Sequence, residues 1–181
     1  MMKKILIALG VVAVVLAIII GVSLQTRTTI HVEHTLNAPP DRIWQMWNDP
    51  EVIKKWWGPT NYSCPIAKND PRVGGGYFLG MQGPDGKIAY NLGTYTEVVP
   101  LKKMVSKLSF ADESGNPVPA SKYGLPGNWA DVVQVTVEFQ EADGKTLIKI
   151  TEEDIPTIMK IFAKMGWEQQ FEKMDAFIAA Q

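Results

Sequence analysis

The stretch APPDRIWQMWNDPEVIKKWWGP, residues 38–59, decides the fold of this chain. A proline followed by an acidic residue is typical of a helix start, because proline suits the first turn and a carboxylate stabilises the amino-terminal end. Pro40-Asp41 and Pro50-Glu51 both have this form, and Gly58-Pro59 then ends the second helix. The stretch therefore predicts two short helices between residues 40 and 57, with a break between them.

Two adjacent tryptophans, Trp56 and Trp57, end the second of these helices. Each indole ring buries a large apolar surface, yet its N–H still needs a hydrogen-bond acceptor. Neighbouring residues on a helix point about 100° apart, so the two rings cannot both point straight into the interior. We expect one ring to close the interior against the rest of the fold and the other to cover its rim.

Alternating apolar and polar residues, typical of antiparallel strands, precede and follow the two helices. Between two of the strands, residues 111–131 form a long loop rich in Pro and Gly, whose aromatic residues indicate that it packs on the fold. The predicted strands are residues 28–36, 77–82, 88–99, 103–110, 132–139 and 145–151.

From about Ile155 to Ala180 the apolar residues recur at helical spacing and predict one long amphipathic helix. An antiparallel sheet with one apolar face must be covered by another layer, and this helix is the expected cover. The order of elements therefore predicts an α+β fold. The stripe expected to face the sheet consists of Ile158, Phe162, Met165, Trp167, Phe171, Met174 and Ile178.

The amino-terminal segment differs from the rest of the chain, because the 18 residues from Ile5 to Val22 carry no charged or polar side chain. As a helix they would span roughly 27 Å, close to the hydrocarbon thickness of a bilayer. We expect a single-pass signal anchor, since the apolar region of a cleaved signal peptide is usually shorter, about 7–15 residues. A secreted protein, cleaved near Gly21-Val22-Ser23, is the alternative. Lys3 and Lys4 favour a cytoplasmic amino terminus and an extracytoplasmic domain.

Residues 1–27 are thus predicted to be the anchor with a short linker, and residues 28–181 a single domain with one hydrophobic core. Lys3, Lys4 and Arg27 lie outside that domain, which leaves 15 of the 18 basic residues against 19 acidic ones, a net charge of −4. No basic stripe is present, so nucleic acid is not an expected partner. Cys64 is the single cysteine, which excludes an intrachain disulfide.

The soluble part resembles the helix-grip superfamily of START-related and birch-pollen-allergen-like domains. Within it, the chain is most similar to the family named for the C-terminal domain of the activator of the heat-shock-protein-ninety ATPase. The resemblance implies about seven strands curled around the long helix, with a cavity between them that the two short helices close at one end. The matching phrases are APPDRIWQMWNDPEVIKKWWGP (38–59), VGGGYFLGMQGPDGK (73–87), GTYTEVVPLKKMV (93–105) and GWEQQFEKMDAF (166–177).

The chain departs from this family in three places. The loop 111–131 is longer than usual, and the link at residues 152–157 is shorter and lacks a histidine that often occurs there. The apolar amino-terminal segment is an addition to the domain.

Aromatic residues and methionines are the main candidates for lining the implied cavity, as expected for a site that binds an apolar or aromatic molecule. The alternative is that they only fill the core. By strand alternation Asn91 and Glu97 share a face with Tyr95, which the resemblance places inward, unless a bulge near 93–97 turns Glu97 to solvent. The candidates are Trp44, Trp47, Trp56, Trp57, Tyr77, Met81, Asn91, Tyr95, Glu97, Phe110, Trp129, Met159 and Phe162.

No metal site, cofactor or catalytic triad is expected. His31 and His34 are three residues apart on a strand and so point to opposite faces. We therefore expect a membrane-anchored domain that binds or sequesters a small hydrophobic molecule or lipid. Two alternatives remain, a module that regulates a chaperone ATPase and a cavity enzyme that uses Glu97 or a pocket tyrosine as acid or base.

Overall fold

The computed structural model describes residues 2–180, and the side chains of residue 5 and of residues 9–180. It contains four α-helices and seven strands in the described part of the chain. The helices are α1 (Met2–Gln25), α2 (Pro40–Asn48), α3 (Pro50–Trp56) and α4 (Lys160–Ala179). The strands are β1 (Arg27–Leu36), β2 (Ser63–Asn69), β3 (Gly76–Gln82), β4 (Ile88–Val99), β5 (Lys103–Ala111), β6 (Val133–Ala142) and β7 (Lys145–Pro156).

The strands form one antiparallel sheet in the order β1-β7-β6-β5-β4-β3-β2. The first strand of the chain therefore pairs with the last, while β2 to β7 form a meander. Alternation places Ile30, Val32 and Leu36 of β1 in the core, as predicted. The α+β class, the curved seven-stranded sheet and the long carboxy-terminal helix that covers it are confirmed.

The two short helices are also confirmed, and the break between them is stabilised locally. The side chain of Asp49 accepts a hydrogen bond from the Glu51 N–H at 2.8 Å, which caps the start of α3. The indole N–H of Trp56 donates to the Met46 carbonyl at 3.0 Å and thereby ties the end of α3 back to α2. Both helices are thus fixed as one corner of the fold.

Strand β2 is not among the strands predicted from residue alternation, although the family resemblance implies about seven strands. Pro65 interrupts the alternation there, and it lacks the N–H that a central strand would need. Because β2 is the edge strand of the sheet, the missing donor costs little. A register shift between Ser63 and Ile66 further blurs the period.

The boundary between the last strand and the long helix was predicted wrongly. Residues 152–156 belong to β7 rather than to a link, because Ile30 pairs with Glu152 and Arg27 with Pro156. A 3₁₀ turn, Thr157–Met159, follows, and α4 begins at Lys160 instead of near Ile155.

The junction between α1 and the domain is held by several hydrogen bonds. The Leu24 carbonyl accepts from the Asn128 N–H at 2.8 Å, and the Thr26 carbonyl accepts from the Thr157 N–H at 2.9 Å. The Arg27 guanidinium donates to the Asn128 carbonyl at 2.8 Å. The loop 111–131 and the 3₁₀ turn before α4 are therefore both attached to the end of α1.

The predicted anchor at residues 5–22 includes residues 6–8, which lie outside the described side chains. Within the described part of the chain, no helix has the length and hydropathy needed to cross a membrane.

Candidate functional site

A cavity of about 40 Å³ lies between the inner face of the sheet and the helices α3 and α4. Space of this size holds about three water-sized groups. Most of its wall is apolar, and none of the described side chains that line it is charged. The lining residues are Trp47, Ile53, Trp56, Trp57, Asn69, Tyr77, Leu79, Tyr95, Met104, Ser106, Leu108, Val135, Val137 and Trp167.

Four tryptophans build the helical wall of this cavity. Trp47 comes from α2 and packs against Trp56, with ring centroids 4.9 Å apart and ring planes tilted by 36°. Trp57 lies edge-on to Trp56 at 5.5 Å and to Trp167 of α4 at 5.8 Å. Trp56 is only 1% exposed, whereas Trp57 is partly exposed. The adjacent pair therefore divides interior from rim as expected, although both rings contribute to the wall.

The indole N–H of Trp57 lacks a hydrogen-bond partner. Among the buried side-chain nitrogen and oxygen atoms that the structure describes, Nε1 of Trp57 is the unpaired one. By contrast, the Trp56 N–H donates to Met46, and the Trp167 N–H donates to the Glu152 carboxylate at 3.1 Å. A buried donor without an acceptor costs about 1–3 kcal/mol, so buried polar groups are rarely left this way.

Hydroxyl and amide groups form the polar part of the sheet wall. The hydroxyls of Tyr77 and Ser106 lie 3.4 Å apart, and the Tyr95 hydroxyl donates to Oδ1 of Asn69 at 2.8 Å. Burial raises the pKa of both tyrosines above the ordinary value, so both are uncharged at neutral pH. The side-chain amide of Asn69 in turn donates to the Asn48 carbonyl at 3.0 Å. This wall offers neutral donors and acceptors.

Gly93 leaves the space on β4 that the Tyr77 ring occupies. The two residues are opposite each other on β4 and β3. A Cβ atom at Gly93 would lie 2.5 Å from the Tyr77 hydroxyl oxygen and closer still to two ring carbons, far inside normal contact. Only glycine therefore leaves room for a tyrosine ring folded across β4 into the cavity wall.

Glu152 is a partly exposed acid opposite the buried Ile30 and Val135, and it is not among the predicted site residues. It follows Ile148 and Ile150 at strand spacing, both of which are fully buried. Burial raises the pKa of its carboxyl group, and the hydrogen bond from Trp167 lowers it in part. Extending the alternation of β7 by two residues would have placed Glu152 on the inner face.

Among the predicted cavity residues, Trp47, Trp56, Trp57, Tyr77 and Tyr95 line the cavity. Their role in binding a ligand stays a prediction.

Glu97 does not face the cavity, and the alternative interpretation of a bulge is the right one. The register between β4 and β5 shifts between Tyr95 and Glu97, so Glu97 is turned away from the face that Tyr95 occupies. Its carboxylate pairs with Lys103 at 3.0 Å, and its side chain is 44% exposed. One extra residue in the strand reverses every later side chain.

Phe162 and Met159 also lie outside the cavity. Phe162 is 64% exposed, and Met159 belongs to the 3₁₀ turn before α4 and is partly exposed. The buried residues of α4 begin at Trp167, and in its first two turns Ala163, rather than Phe162, packs against the core.

The remaining candidates occupy other parts of the core or its edge. Trp44 packs edge-on against Phe139 at 5.4 Å, and Met81 lies beside Gly58. Asn91 is 9% exposed and lies between Leu79 and Phe110 of the neighbouring strands.

Phe110 and Trp129 contact each other at 5.2 Å under the long loop, where they line a second pocket of about 170 Å³. The Tyr123 hydroxyl, which donates to the Ala111 carbonyl, anchors the loop there. The prediction that this loop packs on the fold is confirmed.

Several lining residues could not be identified from the sequence, among them Asn69, Ser106 and Trp167. Asn69 lies on the edge strand that was missed, and Trp167 was assigned only to the apolar stripe of α4. Within the described residues, no group of three His, Cys, Asp or Glu side chains could hold a metal ion. The arrangement can enclose a small, mainly apolar group beside a tryptophan whose buried N–H is unpaired.

Solved structures with the same fold come from several bacteria. A crystal structure of a Mycobacterium smegmatis protein is 25% identical, with a TM-score of 0.70 over 84% of this chain and 91% of its own. A solution structure of an Arthrobacter aurescens protein is 21% identical, with a TM-score of 0.70 over 87% and 93%. The AHSA1-like protein from Aeromonas hydrophila is 21% identical, with a TM-score of 0.63 over 84% and 93%. No curated protein matches the chain.

The family described as Activator of Hsp90 ATPase homolog 1-like protein matches residues 37–179, which include both short helices, the sheet after β1 and all of α4. The match covers more than half of the chain, and the sheet wrapped around α4 is the helix-grip arrangement. The chain therefore belongs to the Activator of Hsp90 ATPase homolog 1-like family, within the helix-grip superfamily.

Proposed function

We propose that the domain binds a small, uncharged and mainly apolar molecule, or the end of a longer one, through a single hydrogen-bond acceptor. The observation that carries this proposal is that Trp57, which lines the cavity, has a buried indole N–H without a partner. A ligand oxygen placed there would satisfy this donor. The apolar remainder of the ligand would contact the tryptophans and the aliphatic side chains of the sheet.

The chemistry of the wall supports an uncharged ligand. An ion placed in an apolar enclosure needs an opposite charge, and none of the described lining side chains supplies one. The two tyrosine hydroxyls remain protonated because burial raises the pKa of each. The small volume supports a compact group such as a ketone or ether end. Trp57, which is partly exposed, gives the cavity a boundary with solvent.

A matched pair of probes tests the hydrogen bond directly. Acetone and isobutene are small enough for a cavity of about 40 Å³ and have nearly the same shape, but only acetone carries a carbonyl oxygen. Relief of an unpaired donor worth about 1–3 kcal/mol predicts that acetone binds about five- to 150-fold more tightly. Titration calorimetry on the full chain in a nonionic detergent measures this ratio.

The Trp57→Phe variant removes the N–H and keeps an aromatic ring, so the preference for the ketone should disappear. Trp129→Phe is the matched control, because its N–H already donates to the Pro126 carbonyl at 3.0 Å, outside this cavity. An equal preference in wild type and Trp57→Phe would refute the role of Trp57.

A co-purifying ligand should also appear in native mass spectrometry of the protein from its source. A clean apo mass, with no ligand-induced rise in Tm, would count against a carrier or sequestering role.

We also propose that residues 5–22 anchor this domain to a membrane, with the domain on the extracytoplasmic side. The described Ile, Leu and Val side chains of this segment are each 48–61% exposed, on all sides of α1. Water does not favour such a surface, whereas a bilayer does. Resistance of the protein to alkaline carbonate extraction would support the anchor. Digestion by external protease only after cell lysis would refute the proposed orientation.

The family description also names activation of the Hsp90 ATPase. That activity would require the domain to face the cytosol, so the same protease experiment decides whether it deserves a test. A cavity enzyme based on Glu97 has less support, since that carboxylate lies outside the cavity in an ion pair.

A further inference from the structure

The first two turns of α4 carry an apolar patch that the fold leaves uncovered. Ile161 is 69% exposed, Phe162 64% and Met165 44%. Met165 follows Ile161 by four residues and Phe162 by three, so it neighbours both on the helix surface and joins the three into one continuous surface. We refer to Ile161, Phe162 and Met165 as the α4 patch. Contiguous apolar surfaces on a folded domain commonly mark interaction sites.

The α4 patch lies close to the point where α1 joins the domain. The N–H of Thr157 donates to the Thr26 carbonyl at 2.9 Å, and the hydroxyls of the two threonines are also 2.9 Å apart. Phe162 follows Thr157 by five residues, so its backbone lies within roughly 10 Å of this junction at a rise of about 1.5–2 Å per residue.

The junction in turn lies close to the end of the apolar segment. Val22 precedes Thr26 by four residues in a hydrogen-bonded turn, a rise of about 6 Å. The headgroup region of a bilayer is about 5–7 Å deep on each side. If Val22 lies at the edge of the hydrocarbon, the start of α4 is within reach of the headgroups.

We propose that the α4 patch inserts into the headgroup region of the same membrane in which α1 is anchored. This inference rests on the proposed anchorage and adds a second contact, which fixes how the domain sits on the lipid surface. Lys160 and Lys164 are neighbours of the patch on the same two turns, where their charges suit anionic lipid headgroups. Their aliphatic stems can lie along the apolar surface while the amines reach the phosphates.

A lipid surface fits this patch better than a protein does. A stable protein interface takes about 20–30 residues from each partner, many more than the three that are uncovered here. Insertion of a few apolar side chains beside an existing membrane helix needs no such area, because α1 already holds the domain at the surface. A contact between two copies of the chain is the competing outcome in the experiment below.

Fluorescence quenching in nanodiscs that contain phosphatidylglycerol tests the proposal on the full chain. An NBD fluorophore is attached to Met165→Cys, and phospholipids with nitroxide-labelled acyl chains serve as quenchers. The native Cys64 is 3% exposed and burial raises its pKa to about 11, so wild-type protein measures the background labelling. Ala176→Cys, exposed near the other end of α4, is the matched control, and Val14→Cys reports on the anchor itself.

We expect nitroxide lipids to reduce the fluorescence of the label at 165 but not of the label at 176. Adding Ile161→Ser and Phe162→Ser to the 165-labelled chain should weaken the quenching, and both side chains are exposed enough for the fold to survive. Quenching at 14 without quenching at 165 would overturn the α4 patch and leave the anchor intact. Quenching at 165 but not at 14 would support the patch and refute the anchor, and quenching at neither would refute both. A label at 165 that is shielded from water to the same degree in detergent as in nanodiscs, and that nitroxide lipids do not quench, indicates a contact between two copies of the chain. This result also overturns the proposal.

Discussion

Gly93→Ala is the substitution that best tests the cavity wall. The added Cβ would lie 2.5 Å from the Tyr77 hydroxyl oxygen, whereas ordinary contacts begin at 3.4 Å. The ring must therefore retreat by about 1 Å into a cavity of about 40 Å³, and its contact with Ser106 is lost. Overpacking of this kind costs about 1–3 kcal/mol, and the severity of the overlap places Gly93→Ala near the upper end.

Backbone entropy offsets part of this cost. Alanine in a strand is about 0.5–1 kcal/mol more favourable than glycine, so the net loss of stability should be about 2 kcal/mol. In a domain of this size 1 kcal/mol changes Tm by about 2–4 °C, so the effect is easily measured. The assay is thermal and urea unfolding of the full chain in a nonionic detergent, followed by tryptophan fluorescence.

A double-mutant cycle isolates the cause. In a Tyr77→Ala background the steric clash is gone, and Gly93→Ala should then stabilise the protein by about 0.5–1 kcal/mol. Gly166→Ala is the control, because nothing lies within 4 Å of the added Cβ, and it should stabilise α4 by a similar amount. The reasoning is refuted if Gly93→Ala destabilises the protein equally with and without the Tyr77 side chain.

Three further substitutions test the surroundings of the cavity. Because burial raises the pKa of Glu152, its carboxyl contributes stability at low pH that is lost as pH rises through the raised pKa. Glu152→Gln, which can still accept from Trp167, should therefore raise Tm at neutral pH. This advantage should vanish as pH falls below the ordinary carboxyl pKa. A difference in Tm that does not change with pH would contradict the raised pKa of Glu152. Lys173→Met should cost about 1–3 kcal/mol in urea unfolding, since its amine donates to the Gly58 carbonyl at 2.9 Å and the Tyr62 carbonyl at 3.1 Å. Glu97→Gln should change stability by at most about 1 kcal/mol and leave acetone affinity unchanged, because its ion pair is half exposed. Loss of an enzymatic activity in this variant would restore the enzyme hypothesis.

The order of elements could be predicted because local patterns determine it. Proline followed by an acid marks the two helix starts, and alternation marks most strands, so the fold follows from short segments read one at a time. The edge strand β2 was not predicted, because Pro65 interrupts the alternation of apolar and polar residues. An edge strand tolerates the absence of the N–H that proline lacks. The end of β7 was predicted too early, because the pairing of Glu152 with Ile30 depends on a strand far away in the sequence.

The cavity was only partly predictable for related reasons. Helical spacing identifies the apolar side of α4 but does not say where along the helix that side becomes buried, so Phe162 was assigned to the core. A single-residue bulge reverses Glu97, and the alternation before it gives no sign of the shift. Whether an indole N–H finds an acceptor depends on contacts between elements, which is why Trp57 differs from Trp56 although the two are neighbours.

The pairing of the first strand with the last has a consequence for synthesis. Ile30 of β1 pairs with Glu152 of β7, which the ribosome adds about 120 residues later. Until then β1 is an unpaired edge without its covering helix, since α4 is made last. Such distant pairings form slowly, and an open edge invites association with other chains. We therefore expect the nascent chain to need protection of Arg27–Leu36 from association with other chains until its final residues emerge from the ribosome.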